Sequence, residues 1–453
     1  MRAILDLMAK RVFLGSLATV AFLAAITGGC GGSGETGTTG GSGGTGGHGT
    51  GGGDTNSCGP GIDTSGCGVV VAPGSDDTHD VQMALIEVKS SSSVCLCPGT
   101  YQFKQQLSLT VPNVTVRGLG AAVTDTVLDF STHEGTTNDT MLVTADGFTI
   151  ENLWVKNTPG NGVVVRQSDK PTFRNLKVSW DSPQSATHGA YAVYPAECTN
   201  VLIEDCEVEG AADAAIYVGQ GTGAIVRRNK AHDSVLGIEL ENTTNGEVYD
   251  NEIYDNSGGL AVFLLGNLNK KTSDTNLLHD NNVHDNNHVN FGDSTTFVAS
   301  IPKGTGVIVV GSDNTEIRNN KIDNNQSAAI LVVSYVLMTK LVPGAMIDPE
   351  ADPYPDGTFI HDNTYSNNGT MPSTPLDLIG VSPTENVLWD GIVRSSMPAT
   401  DKDAKFCLGT KTPFPSFRMF AGDHLTDPDM GTPLQSTDTT PYQCDLPAIP
   451  ASK

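Results

Sequence analysis

One sequence register recurs eight times along this chain, and it leaves few folds open. Segments of the form apolar–x–x–(Leu/Cys/Asn)–x–apolar begin at Ile150, Phe173, Ile203, Val226, Val248, Leu278, Ile317 and Ile360. Successive starts are 23, 30, 23, 22, 30, 39 and 43 residues apart. A unit of about 22 residues that tolerates insertions is the mark of a coiled solenoid. Each unit continues through a turn into a second alternating strand. That predicts three strands per coil and an all-β chain wound as a single-stranded right-handed parallel β-helix.

The columns of the register sharpen this expectation. The fourth position holds Leu153, Leu176, Cys206, Asn229, Asn251, Asn281, Asn320 and Asn363. Asparagines stacked about 4.8 Å apart can bond amide to amide, so this column should point inward as a ladder. The sixth position (Val155, Val178, Val208, Ala231, Ile253, Val283, Ile322, Tyr365) reads as core. The second (Glu151, Arg174, Glu204, Arg227, Tyr249, His279, Arg318, His361) reads as a solvated face. In the later strand of each coil, alternation places Val163/Val165, Tyr191/Val193, Ile216/Val218, Ile238/Leu240, Leu260/Val262, Val307/Val309 and Ile330/Val332 inward. An antiparallel sandwich has no reason to keep asparagines in register.

Residues 1–29 have the form of an export signal, with Arg2, Lys10 and Arg11 before the apolar run Val12–Ile26. Thr27-Gly28-Gly29-Cys30 resembles a bacterial lipoprotein processing site, which makes Cys30 the expected lipid anchor and the membrane a partner through that lipid alone. Residues 30–57 are Gly-rich and read as a flexible tether. The body then spans 58–453, with an N-terminal cap at 58–110 and a C-terminal cap and tail at 370–453. Within the first cap, Val81, Ala84, Leu85 and Val88 share one face of a helix expected in Ser75–Ser90, suited to plugging the open coil end. Insertions near 181–189, 266–276, 287–304 and 334–357 leave beside the later strand and should overhang one side as a wall.

Setting Cys30 aside leaves eight cysteines, an even number in an exported chain. Cys95 and Cys97 are expected to pair with Cys58 and Cys67. Cys198–Cys206 and Cys407–Cys444 are the remaining pairs, with a free Cys206 thiol in the inward ladder as the alternative. The formal charge of −25 argues against nucleic acid, whose binding needs Lys and Arg over phosphates.

The outward side of the later strand carries the chemistry. Tyr194, Tyr217, Glu239 and Glu241 fall on three neighbouring coils, with Asp213 and Gln220 at the adjoining turns and Arg166 one coil earlier. The tyrosines would offer a platform to a sugar ring. Glu239 and Glu241, two apart on one face, would act as acid and base about a glycosidic bond. The same acids with Asp213 make a candidate Ca²⁺ set. Solvated glutamates on a strand are the plainer alternative.

The stretches His188–Pro195, Ala211–Gln220, Gly237–Asn242, Gly258–Phe263, Asn290-Phe291 and Pro302–Gly306 resemble a family of exported bacterial proteins with right-handed β-helix repeats, often lipoproteins. The resemblance covers roughly residues 70–445 and implies the pectin-lyase-like fold. It implies no settled reaction. It also suggests a c-type cytochrome-like partner, since family members are encoded beside one. After Phe263 the family's Asp-Leu-Pro-Gly is replaced by Leu264-Leu265-Gly266-Asn267, without the acid. Two functions follow as expectations. One is an anchored β-helix that binds an extended polysaccharide and processes it as a lyase, hydrolase or epimerase. The other is a non-catalytic envelope scaffold docking a redox partner.

Overall fold

The turns explain the coil. Between the first and second strands of eight coils, one residue adopts a left-handed conformation: Asn152, Asn175, Asp205, Arg228, Asp250, Asp280, Asn319 and Asp362, with φ between 47 and 58°. Asn and Asp tolerate that region better than other L-residues, which accounts for seven of the eight being Asn or Asp before any packing is considered. The fold is that of a computed structural model describing residues 58–134, 139–342, 344–394, 405–420 and 435–452. The export signal, the tether and Cys30 lie outside the described residues.

In six of these coils the left-handed residue ends one short strand before another begins, as in Leu202–Glu204 and Glu207–Glu209, whereas Asn152 and Asn175 bend the continuous strands Thr149–Lys156 and Thr172–Ser179. The coils stack in parallel, with Ile203, Val226, Val248, Leu278, Ile317 and Ile360 in one column. The two short strands of each coil build a 19-stranded sheet, and the later strand builds an 11-stranded sheet. The chain is a right-handed parallel β-helix, as the repeat predicted.

The asparagine ladder forms as expected. Asn229, Asn251, Asn281 and Asn320 each donate from Nδ2 to Oδ1 of the next rung at 3.0, 2.9, 2.9 and 3.0 Å, ending on Asn363. A second ladder, Asn256–Asn286–Asn325–Asn368, runs up the next corner. The register had not singled it out. The helix Asp77–Glu87 is capped by Asp76, which accepts from His79 N–H, and it buries Val81, Ala84 and Leu85 against the first coil.

Four expectations need correction. Tyr191 does not face inward: its ring lies 4.3 Å from that of Tyr217 and 4.7 Å from that of Tyr194, on the outer face. The true partner of Val163 is Val193, a register two residues later. Pro195 within that strand had obscured it. Cys58–Cys97, Cys67–Cys95 and Cys407–Cys444 are bonded, but Cys198 and Cys206 remain separate buried thiols. Each faces the carbonyls of its own corner, Val165 and Ala196 for one, Phe173 and Glu204 for the other. The second-position column is only partly solvated. His279 stacks on Tyr249 at 4.9 Å and bonds Glu247 at 2.9 Å, and the C-terminal segment crosses this face, Ser452 N–H reaching Glu247 and Ile449 N–H reaching Glu316. The largest correction concerns the other sheet. Its outer face is not open, as described next.

Candidate active site

The later strands Tyr191–Ala196, Ala214–Gly219, Leu236–Glu241 and Gly258–Phe263 set the site. Strand alternation sends Tyr194, Tyr217, Glu239 and Ala261 to the outer face in one column. The insertions then fold over that face. Val298 and Ile301 from one, and Tyr335, Leu337 and Met338 from a short helix (Tyr335–Leu341) in another, pack on Leu236, Ala261, Phe263 and Ile308. The wall read from sequence is therefore a roof, and beneath it lies a second hydrophobic core.

Carboxylates are embedded in that core. Glu239 is 3% exposed and Glu241 7%. The phenol of Tyr217 donates to Glu241 Oε1 at 2.7 Å. Its ring lies flat along the strand because position 219 is glycine. A Cβ there would sit 2.2 Å from the Tyr217 hydroxyl. Glu239 Oε2 is buried and meets no hydrogen-bond partner. Asp213 enters from the turn before its strand and is half-buried.

Among the described residues, no lysine or arginine forms an ion pair with these acids. Burial pushes the Glu239 carboxyl well above the ordinary range, and Asp213 and Glu241 add to the push. Burial raises Glu241 too, against the Tyr217 hydrogen bond. Asp213 is pushed up to about 7 by burial and by the charge of Glu241, with the Tyr191 phenol opposing. The cluster therefore stores protons at neutral pH.

The roof is thinner toward the N-terminal coils. Tyr191, Tyr194 and Asp213 are half-buried there, whereas Tyr217, Glu239 and Glu241 are buried. The rings of Tyr191, Tyr194 and Tyr217 lie 4.3–4.9 Å apart in one patch. Arg166 stands over the Tyr194 ring at 5.2 Å and 3.6 Å from Asp139. The site thus has a tyrosine-lined mouth with Asp213 at its edge, and two glutamates behind.

Among the sequence candidates, Tyr194, Tyr217, Glu239, Glu241, Asp213 and Arg166 come together. Gln220 does not. It occupies a left-handed turn (φ 54°) and accepts from Lys270 N–H at 3.0 Å, pinning an inserted loop. The Ca²⁺ set is not assembled either. Among the described residues, three acid or histidine ligand atoms converge within 4.8 Å at Glu209–His232–Asp233 and at Asp313–Asp352–Asp356, and not at Asp213–Glu239–Glu241. Tyr191 was missed as a site residue. Period-2 alternation sends it inward with Val193, and no sequence signal marks the point where Ala192 and Val193 both enter the inner core and leave Tyr191 outside.

Residues 161–339 match the profile described as the right handed beta helix region. That stretch belongs to the right-handed parallel β-helix class that the coil geometry defines. Its description states no activity. No curated protein matches the chain in sequence. Solved structures similar to it include the mannuronan C-5 epimerase AlgE6 A-module of Azotobacter vinelandii, at 15% identity over 73% of this chain and 88% of that one, TM-score 0.43. A GH87 α-1,3-glucanase catalytic unit from Streptomyces thermodiastaticus matches at 15% identity over 73% of this chain and 52% of its own, TM-score 0.43. An alginate lyase from Paenibacillus matches at 13% identity over 66% and 94%, TM-score 0.32. Likeness at this level concerns the winding of the chain alone.

Proposed function

We propose that the tyrosine-lined mouth binds a segment of an extended polysaccharide and that Asp213 acts on it as a general acid. One observation carries this reading: a half-buried carboxyl pushed up to about 7 stands at the edge of three mutually packed tyrosine rings. Aromatic faces suit the C–H faces of sugar rings. A carboxyl titrating near neutrality suits proton transfer to a glycosidic oxygen or from a sugar carbon. Glu239 and Glu241 are too deeply roofed to flank a polymer directly. Glu241 acts from behind: its charge helps hold Asp213 high, and its hydrogen bond from Tyr217 fixes the ring that forms the floor of the mouth. Lyase, hydrolase and epimerase chemistry all fit such a group. Three disulfides suit an exported body, and the reading places it on the membrane through a lipid at Cys30.

The test is a screen of the body on neutral and uronate polysaccharides, with and without Ca²⁺, scoring reducing ends, unsaturated products and changes in uronate configuration. Turnover is expected on at least one polymer. Asp213→Asn should lower kcat by about 10²–10⁴-fold, the range for losing a general acid. Glu241→Gln, which removes the charge that helps raise Asp213, should shift the pH profile more than it lowers the maximum. Full activity in Asp213→Asn would remove that residue from the chemistry. Inactivity on every polymer, with a cytochrome co-purifying, would replace the enzyme by the scaffold.

A further inference from the structure

A serine and a histidine meet where the chain crosses from one sheet to the other, beside the acid cluster but outside it. The segment 180–190 joins the strand Thr172–Ser179 to the strand Tyr191–Ala196. Within it, Ser182 Oγ lies 2.7 Å from His188 Nε2. The other ring nitrogen, Nδ1, lies 2.7 Å from the backbone carbonyl oxygen of Gly210, one coil on. A carbonyl oxygen can only accept, so Nδ1 carries a proton and donates it. In the neutral ring Nε2 is then the bare nitrogen, and the Ser182 hydroxyl donates to it. The direction of both bonds follows from the chemistry of the partners.

The imidazole is held by three coils. His188 is buried, and its ring stacks on that of Trp180 at 5.1 Å, with 9° between the planes. The indole N–H of Trp180 donates to the Thr158 carbonyl of the preceding coil at 2.7 Å. Glycine at 189 lets the backbone close on that coil, since a Cβ there would sit 1.8 Å from Gly160 O. Gly210, whose carbonyl orients the ring, takes φ +87°, which glycine adopts without strain. Ser182, by contrast, is exposed. A buried base, oriented by a third group and bonded to a hydroxyl that solvent reaches, is the arrangement of an activated nucleophile.

We propose that Ser182, with His188 as its base, hydrolyses a carboxylic ester. Ser182 Oγ bonds to the acyl carbon as its proton passes to His188 Nε2. The tetrahedral adduct collapses, the bond from the acyl carbon to the alcohol oxygen breaks, and that oxygen takes the proton from Nε2. Water then adds to the acyl-serine with His188 again as base. The carboxylic acid leaves and Oγ regains its proton, so ester and water give acid and alcohol. The Gly210 carbonyl holds the place that a carboxylate holds in a Ser-His-Asp triad. Pro183 has no N–H to offer the oxyanion, so turnover is slow and the covalent step is the sharper readout. The dyad adjoins the mouth: Tyr191 follows His188 by three residues, Asp213 follows Gly210 by three, and Asp213 N–H donates to Ala190 O at 3.0 Å. Three strand residues span about 10 Å. The ester this neighbourhood favours is an acyl group on a sugar hydroxyl. That choice of substrate rests on the polysaccharide reading of the mouth, whereas the nucleophile does not.

The experiment treats the full chain with a fluorophosphonate and maps the modified peptide by mass spectrometry. It also follows p-nitrophenyl acetate cleavage and acetate release from O-acetylated xylan and O-acetylated alginate. One phosphonyl group is expected, on Ser182. Ser182→Ala, which removes an exposed hydroxyl and should keep the fold, should lose the label and the acetate release. His188→Gln should slow labelling by at least about 10²-fold, the lower end for losing a general base. No label on Ser182, labelling as fast in His188→Gln, or p-nitrophenyl acetate cleavage as fast in Ser182→Ala overturns the nucleophile. Labelling of Ser182 without acetate from either polymer overturns the sugar ester as substrate. Acetate release from a polymer whose backbone stays intact and unaltered supports the dyad while removing the acid chemistry assigned to Asp213.

Discussion

Two outer faces of one solenoid treat the same residue type in opposite ways. On the 19-stranded sheet, Glu204 is buried, and burial alone would raise its pKa. Hydrogen bonds from Arg174, Arg227 and Arg228 outweigh that and hold the carboxyl at about 2. On the 11-stranded sheet, Glu239, Glu241 and Asp213 are driven up, because an apolar roof covers them and no lysine or arginine among the described residues pairs with them. Strand geometry is the same in both. The difference lies in what the insertions bring: on one face paired charges between short coils, on the other a lid of Val298, Ile301, Leu337 and Met338. A buried charge with partners is structure. A buried acid group left without them costs stability, and a chain that keeps three has a use for the protons they hold.

The comparison breaks first if the roofed face accepts another acid. Ala261 lies beside Glu239 in the adjacent coil and is fully buried. Ala261→Asp should cost about 3–5 kcal/mol in urea unfolding, since it adds an acid with no cation near. Lys230→Gln on the other sheet, which removes a surface pair with Glu252 at 3.7 Å, should change stability by no more than about 0.5 kcal/mol. Similar losses at both sites would mean that the roof admits water. The next effect is smaller. Glu204→Gln should cost about 2 kcal/mol at pH 7 by removing charge-assisted hydrogen bonds to three arginines. Glu204 has a folded pKa below its ordinary value of 4.5. Its contribution is thus complete above that value and is lost as pH falls toward 2, so wild type and variant should converge in acid.

Much of the winding was legible because it is repetitive. Eight copies of one register average away local ambiguity, so the Asn229–Asn363 column, the sixth-position core column and the capping helix were legible, as was the Cys407–Cys444 pair, whereas which of Cys58 and Cys67 meets Cys95 or Cys97 was left open and Cys198–Cys206 was expected in error. The roof was not legible. An insertion announces its position by lengthening a repeat, but where it folds back depends on apolar contacts such as Met338 on the second core, which have no period. Tyr194, Tyr217, Glu239 and Glu241 could therefore be placed on one face while their solvent exposure was misread. Asp213 reached the right cluster for a weaker reason, as a turn residue next to it. Tyr191 was lost because the alternation breaks at the start of its strand, where Ala192 and Val193 both turn into the inner core and leave the ring on the outer face.

The subtlest effect is a pH slope of opposite sign on the two faces. Asp213 titrates near 7 in the folded chain against an ordinary 3.8. Between those values the folded chain holds a proton that the unfolded chain has released. Stability contributed by Asp213 is therefore complete below about pH 3.8 and declines as pH rises through 7. The decline is at most about 1.4 kcal/mol per pH unit for one proton. Glu239 and Glu241 shift in the same direction, so Asp213→Asn should flatten the slope between pH 5 and 7 without abolishing it. Adding Glu239→Gln should flatten it further. Urea midpoints taken at half-unit steps of pH would resolve this. A single-variant slope equal to wild type would place the shared proton wholly on the two glutamates, and the mouth of the site would then lack its acid.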